Sequence, residues 1–330
     1  VLVFTGLYGA VIYLAYALAP VWQVIAVAAL FLGFMGVQNP PSSAILADAL
    51  APEERGKGIA SMNAISGLLA IVAPYVGGAL IAALGANLGM RLVYGWIALT
   101  SLVVAWLRAR FLREPARASS PFRLGEARRL LKATYSGIPH LLRALPTSLR
   151  ALALIVALGF VSNAVAGPFW VVYAVQRIGL STKDWGLILL IETVLRNVVY
   201  VPAGALVDRH GRRGPMALAL VATMVSVPLF VWVTGFWGAL AVRGVVGLAS
   251  AVFLPACTAL MADLVPRETR GRVMAALGSG GVLIGAAAGG TGGPGLGFVI
   301  TLPLMAASAA SGYLYALDPR VPWLFTLVAL

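Results

Sequence analysis

Inside the apolar stretch at residues 184–207, beyond Asp184 at its start, lie five polar side chains, namely Glu192, Thr193, Arg196, Asn197 and Tyr200. Glu192 and Arg196 are four residues apart, so they share one face of an α-helix, and the other three fall within about 140° of Glu192. Ionisable groups in a long apolar helix are rare and face protein or water. The stripe therefore predicts either a lining for a solute cavity or a structural Glu192–Arg196 ion pair.

A second group of polar and aromatic side chains lies on one face of the predicted helix at residues 151–175. Its members that could contact a solute are Asn163, Trp170 and Tyr173. Trp and Tyr rings serve equally well as core residues or as anchors at a membrane interface. Packing is therefore the alternative to site lining here.

A loop after the first stripe combines glycines with charges, namely Gly204, Asp208, Arg209, Gly211, Arg212 and Arg213. Gly211 permits a tight turn, and Asp208 lies where it could accept from a helix N-terminus or pair with an arginine. The order Gly-x-x-x-Asp-Arg-x-Gly-Arg-Arg resembles the signature of the Major Facilitator Superfamily. The resemblance implies a conformational latch, and the alternative is a turn whose arginines only set topology.

Two distant stretches match at an offset of 215 residues, from Asp48 to Lys57 and from Asp263 to Arg272. Six predicted spans separate them, so both loops lie on one side of the membrane and the repeat is parallel, as in facilitator halves. Pairing of their charges across the halves would stabilise an outward-open state, whereas local solvated pairs would contribute little. The candidates are Asp48, Arg55, Asp263, Glu268, Arg270 and Arg272.

Arg243 and Pro74 mark two further elements that resemble motifs of the same family. Arg243 belongs to an Arg-x-x-x-Gly-x-Gly element in which Ala249 replaces the second glycine. Arg243 lies about a turn and a half into its helix, so we expect it to snorkel outward, with proton transfer as the alternative. Pro74 and the two glycines after it resemble part of an antiporter motif, which favours export, although close helix packing explains them as well.

Composition indicates a membrane protein. Of 330 residues, 61% are hydrophobic and only 11% are charged, whereas about a quarter are charged in a soluble domain. In lipid, only helices and closed barrels satisfy the backbone, and these stretches are too long for barrel strands, so we predict an all-α integral membrane fold. The predicted spans are 1–19, 22–46, 58–83, 90–112, 151–175, 184–207, 214–235, 237–262 and 295–316, with a tenth beginning near Val321.

The net charge of +13 is distributed over alternate loops. This positive-inside pattern predicts cytoplasmic basic loops of a multi-pass plasma-membrane protein and argues against nucleic-acid binding. The chain is predicted to comprise a truncated N-terminal helical half (1–113), a cytoplasmic basic linker (114–149) and a C-terminal half (150–330). Alignment of the repeat predicts a fragment with about ten of twelve helices, without the first two and most of the last.

The resemblance implies two pseudo-symmetric helical bundles around a central cavity. We therefore expect a monomeric secondary active transporter of a small solute, driven by an ion or proton gradient, with export favoured. Glu192 is the predicted proton carrier, because it alone of the eleven acids lies well inside a span. The alternatives are an uptake symporter or facilitator, or a non-transporting receptor or channel.

No enzyme, cofactor or metal site is expected. The two histidines, His140 and His210, lie in predicted loops, and the lone Cys257 lies in an apolar helix and suits packing. The glycine-rich segment 278–297 lacks the ending of a phosphate-binding loop. It is predicted to be a flexible entry to a helix or a broken helix.

Overall fold

The structure is a computed structural model, and it describes residues 2–32, 55–111, 145–265, 273, 285 and 298–329. At residues 30, 55–69, 262, 298, 299, 301 and 302 the description covers the backbone alone. Within these ranges the regular secondary structure is helical throughout, which confirms the predicted all-α fold class. The chain divides into two compact units, Val1–Pro121 and Phe122–Leu330.

The first unit contains four described helices. They are α1 (Leu2–Leu18), α2 (Trp22–Leu32), α3 (Arg55–Leu84) and α4 (Ala86–Phe111). The long helix α4 packs along α1, and a Cβ built on Gly6 would lie only 2.9 Å from the Cβ of Ala105. Two arginines of α4 bind backbone at the two ends of α1. Arg91 Nη2 donates to the carbonyl oxygen of Ala19 at 3.1 Å, and Arg108 Nη1 donates to that of Leu2 at 3.1 Å.

The second unit contains six described helices. They are α5 (Thr147–Ile178), α6 (Thr182–His210), α7 (Arg213–Trp232), α8 (Gly235–Leu264), α9 (Phe298–Leu317) and α10 (Val321–Ala329). Helix α5 changes its winding along its length, with a 3-10 turn at Gly167–Phe169 and a π turn at Ala174–Ile178.

Five described helices are long and apolar enough to cross a membrane, namely α4, α5, α6, α7 and the part of α8 from Gly235 to Met261. Large apolar side chains cover their outer surfaces. Val201, Leu218 and Trp237 are 76%, 72% and 78% exposed. Such surfaces require lipid rather than water as their surroundings.

Helix α8 organises the second unit, because α6 and α7 both pack along it and α5 touches it. The boundary between α5 and α6 follows from local chemistry. Gly179 ends α5 with a φ of 81°, and Ser181 starts α6 with a capping box in which its hydroxyl accepts from the Asp184 N–H at 3.0 Å. The buried, unoxidised Cys257 lies within the apolar core of this unit, in agreement with its predicted packing role.

The division of the chain between Pro121 and Phe122 falls inside the predicted linker 114–149. Most of that linker lies outside the described residues, as does nearly all of the glycine-rich segment 278–297.

Candidate functional site

Glu192 and Arg243 form a buried ion pair that joins α6 to α8. The Nε and Nη2 atoms of Arg243 donate to Oε2 of Glu192 at 2.8 and 2.6 Å. The side chains are only 6% and 1% exposed. Since charge-assisted bonds from a guanidinium to a carboxylate are among the strongest in proteins, the pair neutralises two charges inside the spans.

This pair corrects two sequence predictions. Glu192 pairs with Arg243 and not with Arg196, and Arg243 points into the protein instead of snorkelling outward. The physical reason is the close approach of α8, since a Cβ on Gly247 would lie 2.9 Å from Cγ of Glu192. A glycine at that position lets the backbone of α8 reach α6, which places Arg243, one turn earlier, beside the carboxylate.

Arg243 also connects two further segments. Its Nη1 donates to the carbonyl oxygen of Gly285 at 2.7 Å, and its guanidinium carbon lies 4.5 Å from the ring centroid of Trp170. The backbone N–H of Gly285 in turn donates to Oδ1 of Asn163 at 2.8 Å. One arginine therefore makes contacts with α6, α5 and the segment around Gly285.

Gly285 occupies a position that suits only glycine. Its φ is 77°, in the left-handed region. A Cβ there would lie 2.9 Å from Val246 Cγ1 and 3.2 Å from Val227 Cγ2. The N–H and the carbonyl oxygen of this residue are paired with the Asn163 and Arg243 side chains, so both of its backbone polar groups are satisfied.

The aromatic candidates of α5 lie in a packed cluster. Trp170 and Tyr173 are 0% and 5% exposed, and the Tyr173 hydroxyl donates to the carbonyl oxygen of Val231 at 3.1 Å. Around Trp170, the ring centroids of Phe230 and Trp323 lie at 4.5 and 5.0 Å. The structure thus places both residues in the core, where Trp170 also forms one wall of the Arg243 site.

The remaining polar residues of α6 lie outside this network. Thr193 donates its hydroxyl to the carbonyl oxygen of Leu189 at 2.7 Å, which is a local helix bond. Asn197 and Tyr200 are exposed, and Arg196 is half-buried. Together these residues form a polar flank beside the α6–α8 interface.

In the predicted latch loop, Arg212 is the residue that binds to another helix of the second unit. It forms an ion pair with Asp263 at the end of α8, and its Nη1 donates to the carbonyl oxygen of Ala259 at 3.0 Å. Gly211 makes the turn with a φ of 78°. The other members lie in helices and not in a loop, because α6 continues to His210 and α7 begins at Arg213. Gly204 has open space where a Cβ would stand, and Asp208, Arg209 and Arg213 are exposed.

The predicted inter-half charges are placed only in part. Asp263 pairs with Arg212 of its own unit. The side chains of Asp48, Arg55, Glu268, Arg270 and Arg272 lie outside what the structure describes. Their pairing across the halves stays a prediction.

The sequence profile of the Major Facilitator Superfamily matches residues 1–195 and 152–327 of the chain. The chain belongs to the Major Facilitator Superfamily. This is a family of multi-pass membrane transporters, which are not enzymes.

Two curated relatives cover part of the chain. A segment of 112 residues is 24% identical to the uncharacterized MFS-type transporter YqjV of Bacillus subtilis (strain 168), and it covers 34% of this chain and 27% of that protein. A segment of 131 residues is 31% identical to the multidrug resistance protein MdtG of Yersinia enterocolitica (serotype O:8), covering 37% of this chain and 31% of MdtG. The chain thus matches about a third or less of either relative's length.

A solved structure extends the likeness in fold to the whole chain. The crystal structure of a bacterial homolog to the human lysosomal transporter Spinster, in an inward-facing and occupied conformation, superposes with a TM-score of 0.65. It covers 99% of this chain and 80% of that chain at 16% sequence identity. At this identity the likeness concerns the facilitator fold alone.

The sequence indicates a buried acid at Glu192 but not its partner. Arg243 is 51 residues away on a different helix, and helix periodicity says nothing about contacts between helices. The close helix contact at Gly247 could have been inferred from sequence, since Gly247 belongs to the motif that begins with Arg243. For Gly285 the sequence shows only that it lies in a glycine-rich segment. The described residues contain no cluster of His, Cys, Asp and Glu that could hold a metal ion.

Proposed function

We propose that the protein is a secondary active transporter that exports a small solute by alternating access in exchange for protons. Its proposed location is the plasma membrane, with the basic loops in the cytoplasm and one chain as the working unit. Family membership supports transport, and the antiporter-like Pro74 motif supports export. The name of the relative MdtG, a multidrug resistance protein, supports a drug-like solute.

The observation that carries the coupling proposal is the buried Glu192–Arg243 pair. Glu192 is the only buried acid among the described residues. It is held by a cation from a different helix, so a movement of α6 against α8 changes its surroundings directly. If the helices separate, the carboxylate loses its counter-ion inside an apolar span, and a proton is the smallest group that can neutralise it.

The transport test uses purified protein in proteoliposomes with an imposed pH gradient. Ethidium and carboxyfluorescein serve as cationic and anionic fluorescent probes. We expect at least one probe to move against its own gradient, to saturate with concentration, and to stop when a protonophore collapses the pH gradient. Accumulation in the same direction as the protons would indicate an uptake symporter instead.

The coupling test compares the wild type with the double variant Glu192→Gln/Arg243→Gln, which leaves no unpaired charge behind. We expect the double variant to lose pH-driven accumulation and to keep downhill exchange of the same probe. Undiminished pH-driven accumulation by a folded double variant would show that Glu192 is not the carrier. Flux that never saturates would indicate a channel, and saturable binding without flux would indicate a receptor.

A further inference from the structure

Among the described residues of the second unit, the charges inside the spans leave Arg196 without a counter-ion. Glu192 and Arg243 neutralise each other. Arg196 is half-buried and makes no hydrogen bond or ion pair with any residue that the structure describes. Helix α6 therefore carries a net positive charge near its middle, four residues after the paired acid.

From its position at the centre of α6, we infer that Arg196 lies too deep to reach the membrane surface. It is equidistant from Thr182 and His210, the first and last residues of α6, which corresponds to about 21 Å of helix on each side. The hydrocarbon core extends about 15 Å from its midplane to either surface, farther than an arginine side chain extends. A lipid headgroup is thus out of reach as the counter-ion, and Arg196 cannot bring its charge to the membrane surface by snorkelling.

The exposed surface of α6 has two flanks of opposite character. One flank is apolar, and Val198 and Val201 on it are 67% and 76% exposed, as lipid contact requires. The other flank holds Thr193, Arg196, Asn197 and Tyr200 within about 100° of helix rotation. Tyr200 is 40% exposed, so this polar flank offers hydrogen-bonding groups to whatever lies against it.

We propose that the polar flank of α6 binds an anionic group of the transported solute, a carboxylate or a phosphate. The Arg196 guanidinium supplies the charge and two parallel donors, a geometry that matches either group. The Asn197 amide and the Tyr200 hydroxyl supply further donors. This inference rests on the proposed transport function and names the substrate class as organic anions.

Charge complementarity favours this class over cations. An organic cation would need an acid, and the one buried acid in the described residues is already engaged by two bonds from Arg243. An anion at Arg196 removes an uncompensated charge from the membrane interior. The same anion could not displace Glu192 from Arg243 without leaving that acid unpaired.

The site is tested through cysteine reactivity, which does not depend on transport. Cys257 is fully buried, so a cysteine introduced at Asn197 can be followed alone. The anionic sulfonatoethyl and the cationic trimethylammonioethyl methanethiosulfonates are applied to Asn197→Cys in proteoliposomes. We expect the anionic reagent to react about tenfold faster relative to its rate with a free thiol, because an unpaired charge lies one residue away.

Matched variants distinguish the effect of the Arg196 charge from the accessibility of the introduced thiol to the reagents. The preference for the anionic reagent should vanish in Asn197→Cys/Arg196→Gln and persist in Asn197→Cys/Arg196→Lys. Val198→Cys, on the lipid flank, should react with neither reagent. No reaction at Asn197→Cys, or equal rates for the two reagents, would overturn the proposal.

Flux measurements with the two fluorescent probes identify the class of solute. Wild-type protein should move carboxyfluorescein and leave ethidium in place, and Arg196→Gln should reduce carboxyfluorescein flux at least about tenfold, the effect of losing one paired charge. Movement of ethidium alone would overturn the anionic assignment while the transport proposal stands. If the cysteine preference is present and neither probe moves, the site stands and the transport proposal fails.

Discussion

At the scale of single residues, the decisive contact is between one carboxylate and one guanidinium. Arg243 forms bonds to Glu192 and to the carbonyl oxygen of Gly285, and it lies over the ring of Trp170. A charge inside a membrane protein is expensive unless each of its polar atoms has a partner. Arg196 carries the same positive charge as Arg243 and lies on the same helix as Glu192. It takes no part in this network.

We therefore expect a strong asymmetry between the two arginines. Glu192→Gln should lower the free energy of unfolding by about 3–5 kcal/mol, because it leaves Arg243 buried and unpaired. Arg243→Met in the same chain should recover most of that loss. Thermal and denaturant unfolding in detergent would measure both effects.

Arg196→Gln is the matched control, and it should not lower the free energy of unfolding, because it removes an intramembrane charge that has no partner among the described residues. If Arg196→Gln destabilised the protein as much as Glu192→Gln does, Arg196 would be the true partner of the acid.

At the scale of elements, glycines decide which helices approach closely. On α8, a Cβ at Gly247 would meet Cγ of Glu192 at 2.9 Å, whereas at Gly244 it would have only Leu195 Cδ2 at 3.8 Å. The two glycines are nearly one turn apart on the same helix. Only Gly247 is therefore required for the spacing of α6 and α8.

Gly247→Ala should push these helices apart and reduce stability by about 1–3 kcal/mol, the usual cost of overpacking. Gly244→Ala should leave stability unchanged or raise it by up to about 1 kcal/mol, because alanine is the better helix former. Melting temperatures of the two purified variants, measured side by side, would test this. Equal behaviour would mean that close approach at Gly247 is not a constraint.

At the scale of the whole molecule, the sequence predicts a repeated helical unit with a charge bias between alternate loops. The chain divides into two compact units. Arg213 begins α7, and Arg320 lies between α9 and α10. With three spans between them, the two residues should lie on opposite sides of the membrane.

Cysteine labelling in intact cells would test this topology, since Cys257 is fully buried. Arg213→Cys should react with a membrane-impermeant maleimide only after the cells are opened, because basic loops stay in the cytoplasm. Arg320→Cys should react from outside. Labelling of both positions from the same side would contradict the predicted arrangement.

The helical segments could be predicted from sequence because the rule that sets them is local. A segment in lipid must satisfy its backbone bonds within itself, so a long apolar run is already a helix. The predicted spans 58–83, 90–112 and 184–207 correspond to α3, α4 and α6, with ends that differ by a few residues. The loop motif around Asp208 and the internal repeat then indicated the family.

The partners of the charges could not be predicted in the same way. Helix periodicity places Glu192 and Arg196 on one face, and it says nothing about which helix comes next to that face. The structure brings Arg243 from α8, since Gly247 allows the backbones to touch, and brings Gly285 and Trp170 around it. Sequence alone determined the helices, the membrane and the acid inside a span at Glu192. Only the tertiary structure decided which charges neutralise each other, because that depends on contacts between segments distant in the chain.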